Sequence, residues 1–248
     1  MMPESHLVKN KEGPLSGIDG LVCAFSRRSH GNMSLSYGDT KGALKNRKNF
    51  LESLGIDYKD LVCAKQIHSN QIRYVQDEDR GKGALSYDTA IGQTDAFITD
   101  KKNLPLAIFT ADCLFIFLYD FRRPAIGLIH AGWRSSQENI AARTVELMQE
   151  KFDTQAQDLC VGFGPAIRSC CYEVGEEFKD FFPKELVRKN GHYYLDLVAI
   201  NKMRLLSCGV KETNIFDTQI CTSCQNKEFF SYRKDGKSCG RMMSVMML

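Results

Sequence analysis

Two neighbouring stretches, Leu104-Pro-Leu-Ala-Ile-Phe-Thr-Ala-Asp-Cys-Leu-Phe-Ile-Phe-Leu-Tyr119 and Ala125-Ile-Gly-Leu-Ile-His-Ala-Gly-Trp-Arg134, set the architecture. Apart from a few polar breaks they are continuously apolar, in runs too short for buried helices. They predict strands over 104–109, 114–119 and 125–129 whose sheet is covered on both faces, by helices or by a second sheet. Further strands are expected over 61–67, 71–75, 95–99, 159–163, 215–220, 229–232 and 241–248. The last is the Met-rich end of the chain, which is apolar enough to return to the core.

Helices punctuate these strands irregularly. Ala43, Leu44, Arg47, Phe50, Leu51 and Leu54 share one face by three-and-four spacing and predict a helix over 41–54 ended by Gly55. Ser135-Ser-Gln-Glu138 has the form of a capping box. Ile140, Ala141, Val145, Met148 and Phe152 continue it as an apolar stripe, so a second helix is expected from Ser135. Weaker helical patterns cover 175–182 and 196–208. No repeat or linker divides the sequence, and a single domain over 1–248 follows.

The composition excludes several function classes. Lys+Arg 33 against Asp+Glu 30 leaves a net charge of +3, too small for the basic footprint of nucleic-acid binding. No apolar run approaches the ~20 residues of a membrane span. The first ten residues lack the basic stretch and apolar core of a secretory leader, which points to the cytoplasm. Ten cysteines in a chain of 248 residues with no such leader are read as reduced thiols or metal ligands rather than a disulfide framework. Cys23, Cys63, Cys160 and Cys208 lie in apolar stretches as core residues. Cys221-Thr-Ser-Cys224 has C-x-x-C spacing, but no second such pair supports a zinc ribbon.

Chemistry is expected where polar residues interrupt apolar strands, because an unpaired buried polar group costs about 1–3 kcal/mol. Gln66-Ile-His68 closes one strand, Thr110-Ala-Asp-Cys113 splits another, and His130-Ala-Gly-Trp-Arg134 ends a third. His68, Cys113 and His130 therefore form a candidate trio of metal ligands drawn from three strands, with the fourth position open, as in catalytic sites. Nitrogen and thiolate donors favour zinc, with copper second. The bland alternative is two satisfied core histidines and a packed thiol. A second functional reading makes Cys113 a nucleophile and His130 its base, with Asp112 or another acid as the orienting group. Arg47, Arg134 and Arg168 are candidate anion holders, Arg134 beside a helix start. Tyr172 and the segment from Phe229 to Arg233 are candidates for stacking on a planar base. No G-x-G-x-x-G or P-loop pattern is present.

The ordered motifs are specific as a set. They run from Ser26-Arg27 through Asn46-Arg47, Gln66-Ile-His68, Thr94-Asp-Ala-Phe-Ile-Thr99, Thr110-Ala-Asp-Cys113, His130-Ala-Gly-Trp-Arg134, Gly164-Pro-Ala-Ile167, Cys171-Tyr-Glu-Val-Gly175 and Cys221-Thr222 to Ser231-Tyr-Arg233 and Gly240-Arg241. In these the chain resembles the YfiH-type purine nucleoside phosphorylase family, also called the multicopper polyphenol oxidase or laccase-domain family. The resemblance implies an α+β fold with a central β-sandwich of mixed sheets flanked by helices, similar to toxin-type deamidases. It implies zinc on His68, Cys113 and His130, phosphorolysis of adenosine, inosine and methylthioadenosine, and deamination of adenosine. Copper-dependent phenol oxidation is an older label of the family, and some members resemble peptidoglycan editing amidases.

Arg47 is the expected phosphate holder with Arg134 second, and Asp112 an orienting or acid/base group. Asn46, Gln66 and Tyr172 are the expected substrate contacts. Purine nucleosides and phosphate are the expected partners. Three departures from the family pattern stand near the expected pocket: Ser135 where Gly is usual, Phe115 where Pro is usual, and an altered loop over 29–34.

Overall fold

The computed structural model describes residues 15 and 17–248; the leader reading of the first ten residues lies outside them. The strands are β1 (Val22–Phe25), β2 (Val62–Cys63), β3 (Ile72–Tyr74), β4 (Ala96–Thr99), β5 (Leu106–Thr110), β6 (Leu114–Asp120), β7 (Ala125–Ala131), β8 (Leu159–Phe163), β9 (Glu173–Val174), β10 (Val187–Lys189), β11 (His192–Tyr194), β12 (Ile215–Asp217) and β13 (Met242–Met247). The helices are α1 (Thr40–Glu52), α2 (Trp133–Gln137), α3 (Ile140–Phe152), α4 (Phe178–Phe181), α5 (Leu197–Ser207) and α6 (Tyr232–Asp235). The fold is α+β with mixed sheets.

Strand pleating assigns the layers. In β6, Leu114, Ile116 and Leu118 point one way and Phe115, Phe117 and Tyr119 the other, and both sets are buried. The first set packs with Val145 and Met148 of α3 and Leu197 and Ile200 of α5. The second meets Leu106, Ile108, Met242 and Met246 of another sheet. That sheet turns Ala107, Met243 and Val245 toward Phe50 and Leu51 of α1. The order is thus helix, four-stranded sheet, six-stranded sheet, helices. The expected sandwich is present, and the continuous apolar runs of β6 and β7 follow from burial on both faces.

The six-stranded sheet has the order β12-β8-β6-β7-β4-β3, with parallel pairs at its two edges and antiparallel pairs within. The other has the order β1-β13-β5-β2. β5 and β6 belong to different sheets but are joined by residues 111–113 alone, so Asp112 and Cys113 sit where the chain crosses the sandwich. β7 ends beside that crossing, in register Leu114↔Ala131 and Phe115↔His130. One end of the sandwich therefore collects three of the polar breaks.

Several expectations are corrected. The helix expected from Ser135 is two helices, because Asn139 adopts a left-handed φ of 61° between α2 and α3. Ser135 caps nothing: it lies buried inside α2, and its hydroxyl donates to the carbonyls of Gly132 at 3.2 Å and His130 at 3.3 Å. Residues 229–232 are not a strand; Phe229 is buried in the core, and α6 begins at Tyr232. The small sheet β10-β11-β9 was not anticipated, because β10 is exposed throughout and carries no apolar alternation. Among the described residues no helix is long and apolar enough to cross a membrane.

Phe97 is 0% exposed in the inter-sheet core. Phe97→Ala is expected to lower stability by about 3–5 kcal/mol in denaturant unfolding; an unchanged midpoint would contradict this layering.

Candidate metal centre

His68 and Asp112 both hold positive φ, 61° and 84°, which costs a non-glycine residue about 1–3 kcal/mol unless its surroundings impose it. Asp95, at the head of β4, imposes the first. Its carboxylate accepts from the backbone N–H groups of Ile67 (3.2 Å), His68 (2.9 Å) and Ser69 (2.8 Å) and from the Ser69 hydroxyl (2.9 Å). It also accepts from Nδ1 of His130 at 2.8 Å. Nε2 of His130 is thereby left as the ring's free nitrogen, on the side of Cys113.

Asp112 is held from the other side. Its carboxylate accepts from the Thr222 hydroxyl at 2.6 Å and the Arg233 backbone N–H at 2.7 Å, while its carbonyl accepts from Ile167 at 2.9 Å. Both carboxylate oxygens are engaged in fixing the crossing that presents Cys113. The orienting acid on His130 is therefore Asp95, not Asp112. Asp95 went without a role in the sequence reading, although an acid opening the apolar strand Ala96–Thr99 is the same kind of polar break as the other three.

The ligand atoms of His68, Cys113 and His130 all lie within 4.8 Å of one another, with Cys113 Sγ 3.8 Å from Nε2 of His68. A Cβ on Gly132 would fall 2.8 Å from Cδ2 of His68 and 3.3 Å from Cys113 Sγ, so only glycine fits this close approach. The donors suit zinc, with copper second. Cys221 and Cys224 group instead with Cys170 and Cys171, so they do not close the trio with a fourth ligand.

The trio's electrostatics agree with a ligand set. Burial alone would push the Cys113 thiol up, but hydrogen bonds and charge from His130 and His68 bring it down to about 6. Burial would lower His130; the Asp95 and Cys113 interactions instead raise it to about 9. Asp95, despite its burial, is held below the usual carboxylate range by His130 and Ser69. Both shifts favour thiolate on Cys113 and imidazolium on His130 in the absence of metal.

These groups open onto a pocket of about 570 Å³, within the range of small-molecule sites. Of the expected residues, Arg47, Gln66, Asp112, Arg134 and Tyr172 line it. Asn46 does not: its side-chain amide donates to the Asn32 carbonyl at 2.9 Å, behind the loop. Arg47 is buried, stacks on Phe109 at 4.6 Å, and donates to the carbonyls of Met33, Gly83 and Ala84 at 2.7–2.9 Å. Arg134 is exposed and stacks on Trp133 at 4.1 Å. Gln66 pairs its amide with the backbone of Phe109 in both directions, at 2.8 and 2.9 Å. Arg233, expected only within a base-stacking segment, and Arg241, expected only as the start of a strand, also reach the wall; the one stands in α6 and the other just before β13. Phe115 and Ser135 are absent from the wall, and of the altered loop over 29–34 only Ser34 contributes to it, followed by Leu35, Ser36 and Tyr37.

Residues 22–248 match the model of the multi-copper polyphenol oxidoreductase laccase family. The chain belongs to this family. Among its relatives, purine nucleoside phosphorylase YlmD of Geobacillus stearothermophilus is 34% identical over 94% of this chain and 91% of its own length. Adenosine deaminase RL5, from an unknown prokaryotic organism, is 32% identical over 82% of this chain and 80% of its own. The crystal structure of the YfiH protein of Bacillus licheniformis superposes with a TM-score of 0.89 at 34% identity, covering 92% of each chain.

In metal-free protein, alkylation of Cys113 by iodoacetamide, mapped by mass spectrometry, is expected to rise through about pH 6 and level off above it. A rate still climbing toward pH ~9, as for an ordinary thiol, would contradict the thiolate–imidazolium arrangement.

Proposed function

We propose that this protein is a zinc-dependent purine nucleoside phosphorylase of the cytoplasm that acts on adenosine, inosine and methylthioadenosine and also deaminates adenosine. The names of its relatives support a nucleoside-processing enzyme. The observation that carries the finer reading is the pocket, where a His/Cys/His donor set faces aromatic walls and four arginines. Flat aromatic surfaces suit a purine, and guanidinium groups suit phosphate.

His68, Cys113 and His130 hold the metal, and Asp95 keeps His130 in the ligating tautomer. Bound zinc supplies Lewis acidity and a source of hydroxide near neutral pH. In phosphorolysis a phosphate oxygen attacks C1′ as the C1′–N9 bond breaks; the bond's electron pair leaves with the purine, and the sugar passes through oxocarbenium character. Arg134, with Arg47, Arg233 and Arg241, neutralises phosphate and fixes its approach. Burial, reinforced by the Cys113 charge, raises the Tyr172 phenol well above its ordinary range. It stays protonated and donates to a nitrogen of the departing base. Gln66 and Asp112 shape the site from below rather than exchanging protons, since their polar atoms are already paired.

A second reading has its own support. Cys113, His130 and Asp95 stand in the order nucleophile, base and orienting acid, with the thiol depressed to about 6. That arrangement suits a cysteine-dependent amidase. Purified zinc-loaded protein with adenosine separates the two. Phosphate-dependent adenine is expected, with some inosine from deamination. Cys113→Ala is expected to lose zinc and turnover together while staying folded, and Arg134→Ala to raise the KM for phosphate about 10- to 100-fold. Full phosphorolysis by Cys113→Ala would overturn the proposal. Absence of any purine product from zinc-loaded protein, together with cleavage of a muramyl-type amide, would favour the amidase.

A further inference from the structure

We propose that Cys170, Cys171, Cys221 and Cys224 form a second metal site, a closed four-thiolate zinc centre that staples two turns at the rim of the pocket. It is independent of the purine reading, which gives these residues no task.

The four sulfurs all lie within 4.8 Å of one another; Cys224 Sγ is 3.5 Å from that of Cys170 and 3.4 Å from that of Cys171. A disulfide brings two sulfurs to about 2.0 Å. Four thiolates around zinc at about 2.3 Å stand about 3.8 Å apart along each edge of the tetrahedron. The observed spacing is that of ligands around one ion, and four sulfurs gather where a disulfide needs two. Four soft donors with no oxygen or nitrogen among them select zinc over hard cations.

The arrangement is built by main chain. Cys170 and Cys171 stand on a turn in which the N–H groups of Cys171 and Tyr172 both donate to the Arg168 carbonyl at 2.8 Å. Cys221 and Cys224 stand on another, closed by Gln225 N–H on the Cys221 carbonyl at 3.0 Å. A parallel bridge between Ala166 and Cys221 sets the two turns face to face. Thr222 N–H on the Ala166 carbonyl at 3.1 Å and Ala166 N–H on the Ile220 carbonyl at 3.2 Å secure it. The C-x-x-C pair thus has its missing partners in an adjacent Cys-Cys pair, a spacing that no zinc-ribbon pattern contains.

With all four positions taken by protein, the centre is structural, unlike the three-ligand trio. Its first turn leads into Tyr172 on the pocket wall. Its second carries Thr222, which holds Asp112 and hence the crossing that presents Cys113. Binding takes a proton from each thiol, so occupancy falls in acid.

The test is metal stoichiometry. Protein purified with reductant, loaded with zinc and freed of excess is expected to carry two ions per chain by mass spectrometry, one for each cluster. Cys170→Ser/Cys224→Ser is expected to retain the ion of the trio, and His68→Ala/His130→Ala the ion of the four cysteines. If the cysteine variant fails to fold, cobalt titration of His68→Ala/His130→Ala decides the matter. An intense thiolate-to-cobalt charge-transfer band saturating at one cobalt per chain supports the site, and its absence overturns it. A wild-type protein with one zinc that disappears with His68 and His130 also overturns it. Loss of turnover with both ions still bound would instead count against the purine reading alone.

Discussion

The Asp95 carboxylate is wholly buried and accepts five hydrogen bonds, four from the segment that carries His68 and one from the ring of His130. A buried charge left without partners costs several kcal/mol, so the site is stable only with all of these donors in place. The backbone repeats the tie, since His130 N–H donates to the Asp95 carbonyl at 2.7 Å. One side chain thus fixes the left-handed backbone of His68, the tautomer of His130 and the distance between them. Cys113 is added by the crossing of the chain from one sheet to the other.

Asp112 performs the matching task on that crossing. By holding Thr222 and the Arg233 backbone, it joins the strand break that presents Cys113 to the two late segments that supply an arginine and a pair of cysteines. The rim of the pocket is irregular backbone, with a short helix at Tyr232–Asp235, and side-chain hydrogen bonds set its geometry more than sheet ladders do. The His68, Cys113 and His130 trio and the four-cysteine cluster are coupled through this aspartate.

Much of this was legible in the sequence, for a physical reason. β6 and β7 announce burial on both faces by seven buried residues each, and the His and Cys residues that interrupt or end such strands stand out because apolar surroundings make them costly. Asp95 belongs to the same class but opens its strand instead of closing it, and its partner His130 lies 35 residues away. The break at Asn139 was hidden by a continuous apolar stripe, since periodicity reports the face of a helix and not a single residue in left-handed conformation. Arg241 and the Cys170-Cys171 pair lie in loops and Arg233 in a single-turn helix, where proximity arises from tertiary packing alone. The four-cysteine cluster joins residues 54 apart in the chain through an isolated bridge.

The dependence of the metal centre on Asp95 is tested most directly by measuring zinc affinity of Asp95→Asn against the wild type by chelator competition, with folding checked by circular dichroism. The trio should bind zinc about 10–100-fold more weakly once its orienting acid is gone, with the proposed phosphorolysis falling alongside. Undiminished affinity in a folded Asp95→Asn protein would contradict the account, and His68, Cys113 and His130 would then be held together by packing alone.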